Sequence, residues 1–329
     1  MEFLLKYIKL INIIALLFLL FGAYGIAFTG IFQIVAAILY ILYNPKNKLI
    51  YIYFSLVVLF YIIWDGEFTW LFLIPIFLIF FLTYIIHFHK RKPISFLTAK
   101  WKNLALINYE INPTILKKYL PIVTELDDYK GKYYVSLVGF LFQNTKLLGW
   151  TIPFHSNFEE VNLRFYVKRF ENNEWKRGVV FIKEIVPKHA LTFVANTIYK
   201  EHYQTLPMKH SILSSQEESE LVYQWKSGNK WNSIEITAKN ELLPIEENTE
   251  ADFICEHYFG YTKYSTNKTF EYEVKHPRWE QYEVIATKID VDFRNNYGSD
   301  FAHLKDLKPT SVILAKGSKV SVENKRTIS

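Results

Sequence analysis

FEEVNLRFYV, residues 158–167, is the stretch on which the fold turns. Strand side chains alternate between two faces, which sorts this run into Val161, Leu163, Phe165 and Val167 on one side and Glu160, Asn162, Arg164 and Tyr166 on the other. The apolar set requires a core. The polar set, an acid, an amide, a base and a phenol in a row, either faces water or lines a site, and alternation alone favours the solvated face because half-buried strands are built that way.

The flanking sequence has the same texture. WKNLALINYEI (101–111), YYVSLVGFLF (133–142), GVVFIKEIV (178–186), FEYEVK (270–275) and YEVIATKIDVDF (282–293) are short runs rich in aromatic and β-branched residues, and read as strands. Helical pattern is confined mainly to INPTILKKYLP (111–121) and ALTFVANTIYKEHY (190–203), while SSQEESE (214–220) and ENTEAD (247–252) read as polar loops. The expected fold is α+β and mainly β, an antiparallel barrel or sandwich occupying residues 93–329.

Residues 1–92 are of another kind. The apolar stretch from Ile8 to Tyr43 is too long for one span and is interrupted by FGAYG at Phe21–Gly25; two further apolar runs follow NPKNK at 44–48. Four transmembrane helices are expected, at about 3–22, 26–43, 49–64 and 68–87, with Pro75 tolerated in the last. No clear small-x-small cleavage site precedes a polar segment, which argues against a cleaved leader. Lys6 and Lys9, Lys46 and Lys48, and the HKRK run at 89–92 fall on one side of such a bundle and DGE at 65–67 on the other. Basic loops mark the cytoplasmic side, so the expectation is a multi-pass protein of the cell (inner) membrane with both termini cytoplasmic. Asn12, Thr29 and Gln33 are uncharged polar groups of the kind that join helices, and no charged residue occupies a span centre.

Seven basic against three acidic residues precede Pro93, so +4 of the chain's +6 belongs to the apolar part and the remainder has no electrostatic footprint for nucleic acid. The single cysteine, Cys255, excludes an intrachain disulfide and a cysteine metal site. Dinucleotide, P-loop, zincin and nucleophile-elbow motifs are all missing from the sequence, so no cofactor is expected. Glu201-His202-Tyr203 and Glu256-His257-Tyr258 repeat a tripeptide, but no third ligand stands at a metal-binding spacing.

WKNLALINYEINP, LDDYKGKYYVSLVGF, the GW-x-x-P of Gly149–Pro153, FEEVNLRFYV, RGVVFIKEIVP, NTIYKEHYQTLPMKH, ADFICEHYFGYT and His276-Pro277-Arg278-Trp279 together resemble the YqjF-like domain-of-unknown-function 2071 family, from about Ile94 to the late 280s. That resemblance implies the acetoacetate-decarboxylase-like fold, a β-barrel with an internal cavity. The aromatic-x-Glu pattern of the decarboxylases then falls on Phe158-Glu159-Glu160 and turns Glu160 inward. Their catalytic-lysine stretch falls on Ala195-Asn196-Thr197 running into Lys200–Tyr203, with Tyr203 in the lysine's place. A phenol forms no Schiff base, and Lys200 lies three residues off.

A hairpin turning between Asn172 and Asn173 sets Lys183 opposite Asn162; a one-residue slip substitutes Glu184. The expected ligand-binding set is therefore Glu160, Asn162, Arg164, Lys183, Asn196 and Tyr203, with the bilayer and a small polar or anionic organic molecule as partners. A lyase or hydrolase using Glu160 as acid or base, and a membrane scaffold docking a protein, are the alternatives.

Overall fold

The computed structural model describes residues 2–67, 70–88 and 95–329. The HKRK run, Phe68 and the expected boundary at 92/93 lie outside the described residues. The chain forms two compact units, Met1–Pro93 and Ile94–Ser329.

The first unit holds α1 (Glu2–Leu17), α2 (Ala23–Tyr43), α3 (Lys48–Ile63) and α4 (Leu73–His87), with short 3-10 turns at Phe18–Phe21 and Trp70–Phe72. Of the four expected spans, two are long and apolar enough to cross a membrane, Leu4–Phe21 and Tyr24–Tyr43; Lys48–Ile63 and Leu73–His87 are apolar but shorter. The polar side chains join the helices. Asn12 donates to Thr83 Oγ1 at 3.1 Å, Gln33 donates to Asn12 Oδ1 at 3.0 Å and to the Ile79 carbonyl at 3.1 Å, and Thr29 donates to the Ala15 carbonyl at 2.9 Å. An amide buried in an apolar bundle costs several kcal/mol unless bonded, so these links fix which faces of α1, α2 and α4 meet.

The second unit is mainly β. Its strands are β1 (Leu97–Glu110), β2 (Glu125–Leu126), β3 (Tyr134–Leu147), β4 (Phe158–Glu171), β5 (Glu174–Val186), β6 (Tyr203–Thr205) and β7 (Met208–Ser214). They continue as β8 (Glu218–Ser227), β9 (Lys230–Pro244), β10 (Phe259–Ser265), β11 (Lys268–Lys275), β12 (Glu280–Asp290), β13 (Ser311–Ala315), β14 (Lys319–Val322) and β15 (Arg326–Ile328). Four short helices intervene: α5 (Pro113–Leu116), α6 (His189–Val194), α7 (Glu250–Cys255) and α8 (Phe293–Tyr297). ENTEAD is thus only partly a loop. Thr249 caps α7 by accepting from the Asp252 amide at 3.2 Å, a capping arrangement that stabilises a helix start by about 1 kcal/mol.

Seven strands close on themselves in the order β14-β11-β10-β5-β4-β3-β1, with β14 pairing back onto β1. All contacts in this ring are antiparallel except β5 with β10. One edge of β1 serves two partners: Leu97–Lys100 pair with β14, and Leu104–Asn108 pair with β13, from which β12, β9, β8 and β7 continue as an open flap. A register irregularity at Lys102–Ala105, with Asn103 at φ 53°, marks the changeover.

That flap explains why β4 has no wet face. Val161, Leu163, Phe165 and Val167 are fully buried in one cluster with Leu221, Tyr223, Trp225, Ile234 and Ile236 of β8 and β9. Contact is close enough that a Cβ on Gly139 of β3 would stand 2.9 Å from the Tyr223 ring. Each large apolar side chain so covered contributes about 1.5–3 kcal/mol. A second cluster, with Leu104, Leu106, Val138, Phe140, Phe142 and Tyr166, lies inside the ring and is completed by Phe253, Ile254 and Cys255 of α7.

Candidate functional site

The inner face of β4 opens on a cavity of about 310 Å³, at the small end of the range typical of ligand pockets. Glu160, Asn162 and Arg164 line it, all buried, while Leu163 and Phe165 point into the flap. Both faces of the strand are therefore covered, one by apolar packing and one by an enclosed polar surface.

The β4–β5 hairpin turns at Asn172 and Asn173, both with positive φ (53° and 66°), as a two-residue turn matching strand twist requires. Pairing runs regularly from Glu171↔Glu174 to Arg164↔Phe181 and then shifts by one, giving Leu163↔Lys183 and Asn162↔Glu184. The expectation of Lys183 opposite Asn162 is corrected by this bulge at Ile182. An extra residue on β5 reverses the alternation beyond it, so Lys183 leaves the cavity wall and Glu184 enters it.

β6 pairs parallel to β5 with Tyr203 opposite Glu184, which brings Tyr203 and the preceding Glu201 to the same wall. The Tyr203 hydroxyl donates to Glu160 Oε2 at 3.2 Å, and Asn162 donates to Glu160 Oε1 at 2.9 Å. Glu201 accepts from Thr262 and, at 3.1 Å, from the Tyr272 hydroxyl. The Tyr272 ring lies flat on Gly260, where a Cβ would come within 2.2 Å of it. Asn196, expected at the ligand, is instead a clamp outside the cavity lining. It sits in a π turn at Ala195–Tyr199, donates to the Tyr203 carbonyl at 2.9 Å and accepts from the Tyr203 amide at 2.8 Å. Lys200 adopts a left-handed conformation beside it, and no lysine lines the cavity among the described residues.

Three buried carboxyls thus share one wall. Burial lifts Glu160 and Glu201 to about 7, Glu201 adding its repulsion at Glu160. Glu184 is raised well above the usual range, first by burial and then by Glu201 and Glu160. Glu184 Oε2 and Asn162 Oδ1 are buried with no hydrogen-bond partner. Arg164 supplies the opposite charge: it donates to the Ile254 carbonyl at 3.3 Å and lies over the Tyr166 ring at 5.6 Å, while its Nε has no partner.

Histidines were not in the expected set, yet three line the cavity, His155, His257 and His276. His257 bonds Asp127 Oδ2 at 3.2 Å, and burial pushes it down to about 4. Against burial, hydrogen bonds from His257 and Arg177 hold Asp127 down to about 2. His276 stacks on Trp279 at 4.1 Å and is likewise lowered to about 4 by burial. The repeated tripeptide therefore uses opposite faces: Glu201 and Tyr203 line the cavity in the first copy, His257 in the second. Glu201 and Tyr272 were also missed, and Glu184 stood only as the alternative of a slipped register; what places them is the β5–β6 and β10–β11 pairing, which leaves no local mark in the sequence.

A closed seven-stranded barrel of this order, with a cavity inside, is the acetoacetate-decarboxylase-like fold. An acetoacetate decarboxylase-like enzyme from Sphingomonas wittichii RW1 superposes with a TM-score of 0.50 at 8% identity, covering 74% of this chain and 98% of that one. The enduracididine biosynthesis enzyme MppR complexed with pyruvate does so at 0.50 and 11%, covering 73% and 92%. Residues 98–319 match the model of the domain-of-unknown-function 2071 family, described as an uncharacterized conserved protein, and the chain belongs to that family. Uncharacterized protein YqjF of Bacillus subtilis (strain 168) is 25% identical over 186 residues, 54% of this chain and 72% of that protein.

Proposed function

We propose that the chain is an integral membrane protein whose barrel, on the cytoplasmic side, binds a small organic acid with the ligand carboxylate on Arg164. The observation that carries this reading is the guanidinium itself. It is buried, makes no salt bridge to a carboxylate among the described residues, and leaves Nε unbonded at the cavity. A buried charge without a counter-ion costs several kcal/mol, which a bound carboxylate would offset through charge-assisted hydrogen bonds. MppR, of the same fold, is complexed with pyruvate.

The four-span reading is supported by apolar, exposed outer faces on all four helices, among them Ile13 and Leu17, Ile31 and Leu42, Val58 and Ile62, and Phe77 and Phe80. At 1.5 Å per residue, α3 and α4 reach about 24 and 22 Å, short of a ~30 Å hydrocarbon core, so as spans they require local thinning or tilted flanks. Basic residues on one side of the bundle support cytoplasmic termini.

Full-length protein in lipid nanodiscs, heated in the presence of pyruvate, acetoacetate, 4-oxopentanoate or pentanoate, tests the binding reading. At least one acid should raise the melting temperature, and R164M should abolish the rise. Failure of all four to stabilise wild type, or an undiminished rise in R164M, refutes it.

A second reading is favoured by Glu160, whose carboxyl near 7 is matched to general acid–base work at neutral pH. Turnover of an acid that is lost in E160Q and is not trapped by borohydride would establish it, since trapping demands a lysine.

A further inference from the structure

The acidic end of the cavity has no role in binding a carboxylate. Glu160 comes from β4, Glu184 from β5 and Glu201 from the segment two residues before β6 begins at Tyr203, yet they converge on one wall, and the bulge at Ile182 has removed the lysine that regular pairing would have placed among them. Their donors are one amide and three hydroxyls, from Asn162, Tyr203, Thr262 and Tyr272. The Tyr203 hydroxyl also bears on the Glu184 carboxyl, but two buried acceptors remain without any donor, Glu184 Oε2 and Asn162 Oδ1, on residues directly paired across β4 and β5. Both residues line the cavity and both are at least nine-tenths buried. Unmet acceptors in such a place call for N–H donors, because leaving each one bare is costly. Among the described residues no three His, Cys, Asp or Glu side chains are grouped closely enough to hold a metal ion. The wall carrying Trp101, Phe140, Phe142 and Phe181 is aromatic, which suits a short apolar spacer.

We infer that the ligand is ditopic: a short organic acid whose far end carries an ammonium or guanidinium, seated on Glu184 and Asn162 while its carboxylate meets Arg164. The inference rests on the proposed role of Arg164 and adds the second charge. The cation takes the place of protons held by the carboxyl cluster, so binding releases protons near neutral pH. The groups facing the cluster are Arg164 on β4, Tyr199 in the π turn, Tyr203 on β6, Tyr272 on β11, Tyr297 on α8 and Lys325 ahead of β15.

Isothermal titration of the full-length protein in nanodiscs at pH 7, in phosphate and in Tris, separates the parts, with 5-aminopentanoate, 4-guanidinobutanoate, pentanoate and pentylamine as probes. At least one zwitterion should bind roughly tenfold or more tighter than pentanoate, with heats that differ between the buffers as protons leave. E184Q should lower zwitterion affinity at least roughly tenfold more than it lowers that of pentanoate. E201Q serves as the second variant, expected to act in the same direction, and a melting transition as cooperative as that of the wild type certifies that each variant is folded. Pentanoate binding as tightly as both zwitterions, or E184Q weakening both classes alike, overturns the cationic end and leaves the Arg164 reading standing. Pentylamine matching the zwitterions, with R164M inert, overturns the Arg164 reading and with it the ditopic ligand.

Discussion

Glutamine at position 160 provides a direct test of how the cavity wall is charged. Burial first, and repulsion by Glu201 second, raise the Glu160 carboxyl from 4.5 to about 7. A carboxyl that holds its proton more tightly folded than unfolded favours the fold at low pH, and that stability is lost as pH rises from 4.5 through 7. At 1.36 kcal/mol per unit the loss is about 3 kcal/mol. Glu201 and Glu184, also raised by burial, act with the same sign, and His257 and His276, both lowered to about 4 from 6.5, with the opposite sign over an overlapping range, so the wild-type curve alone is uninformative. Subtracting E160Q cancels them. The barrel's transition is readable in isolation because Cys255 is the chain's single thiol and is buried on the cavity wall, so a thiol-reactive dye too bulky to enter the cavity reports the barrel's opening. Relative to wild type, E160Q should gain about 3 kcal/mol between pH 4.5 and 7.5, or roughly 6–12 °C for a domain of this size. A difference in melting temperature that stays constant across that range would mean an ordinary solvated carboxylate and would refute the enclosed acidic wall.

Two further substitutions probe the scaffold behind the site. G260A drives a methyl into the Tyr272 ring at 2.2 Å and should cost about 1–3 kcal/mol by overpacking, with the Tyr272–Glu201 bond broken; an unchanged melting temperature would show that the ring moves freely. N196A strips both clamps from the Tyr203 backbone and should cost about 1–3 kcal/mol, visible as earlier dye labelling, with a smaller effect if β6 holds Tyr203 unaided.

Much of this architecture was legible at β4. Alternation correctly grouped Glu160, Asn162, Arg164 and Tyr166 on one face, and Asn172-Asn173 announced the hairpin. What alternation cannot say is what covers the opposite face. Val161, Leu163 and Phe165 are buried by β8 and β9, strands more than fifty residues away that reach them only because β1 passes from β14 to β13 along one edge. Glu184 was visible only as a register slip, and a bulge carries no reliable sequence mark, so Lys183 was placed by the simpler rule. α7 was overlooked among acidic residues, although Thr249 followed by Asp252 is a helix-start signal, and that helix delivers the Ile254 carbonyl to Arg164. In the apolar unit hydropathy marked four helices, but the folded lengths of α3 and α4 are set by their ends, which hydropathy does not see.

The extra residue at Ile182 has one more consequence. Glu184 is held in phase from downstream, by Tyr203 beside it on β6, whereas Phe181 is held in phase from upstream, by the hairpin. Ile182 is the slack between two independent rulers. A chain lacking it would run without interruption from Phe181 opposite Arg164 to Glu184 opposite Asn162, so the carboxylate's place in the wall is insulated from a change of length that would turn an unbulged strand inside out.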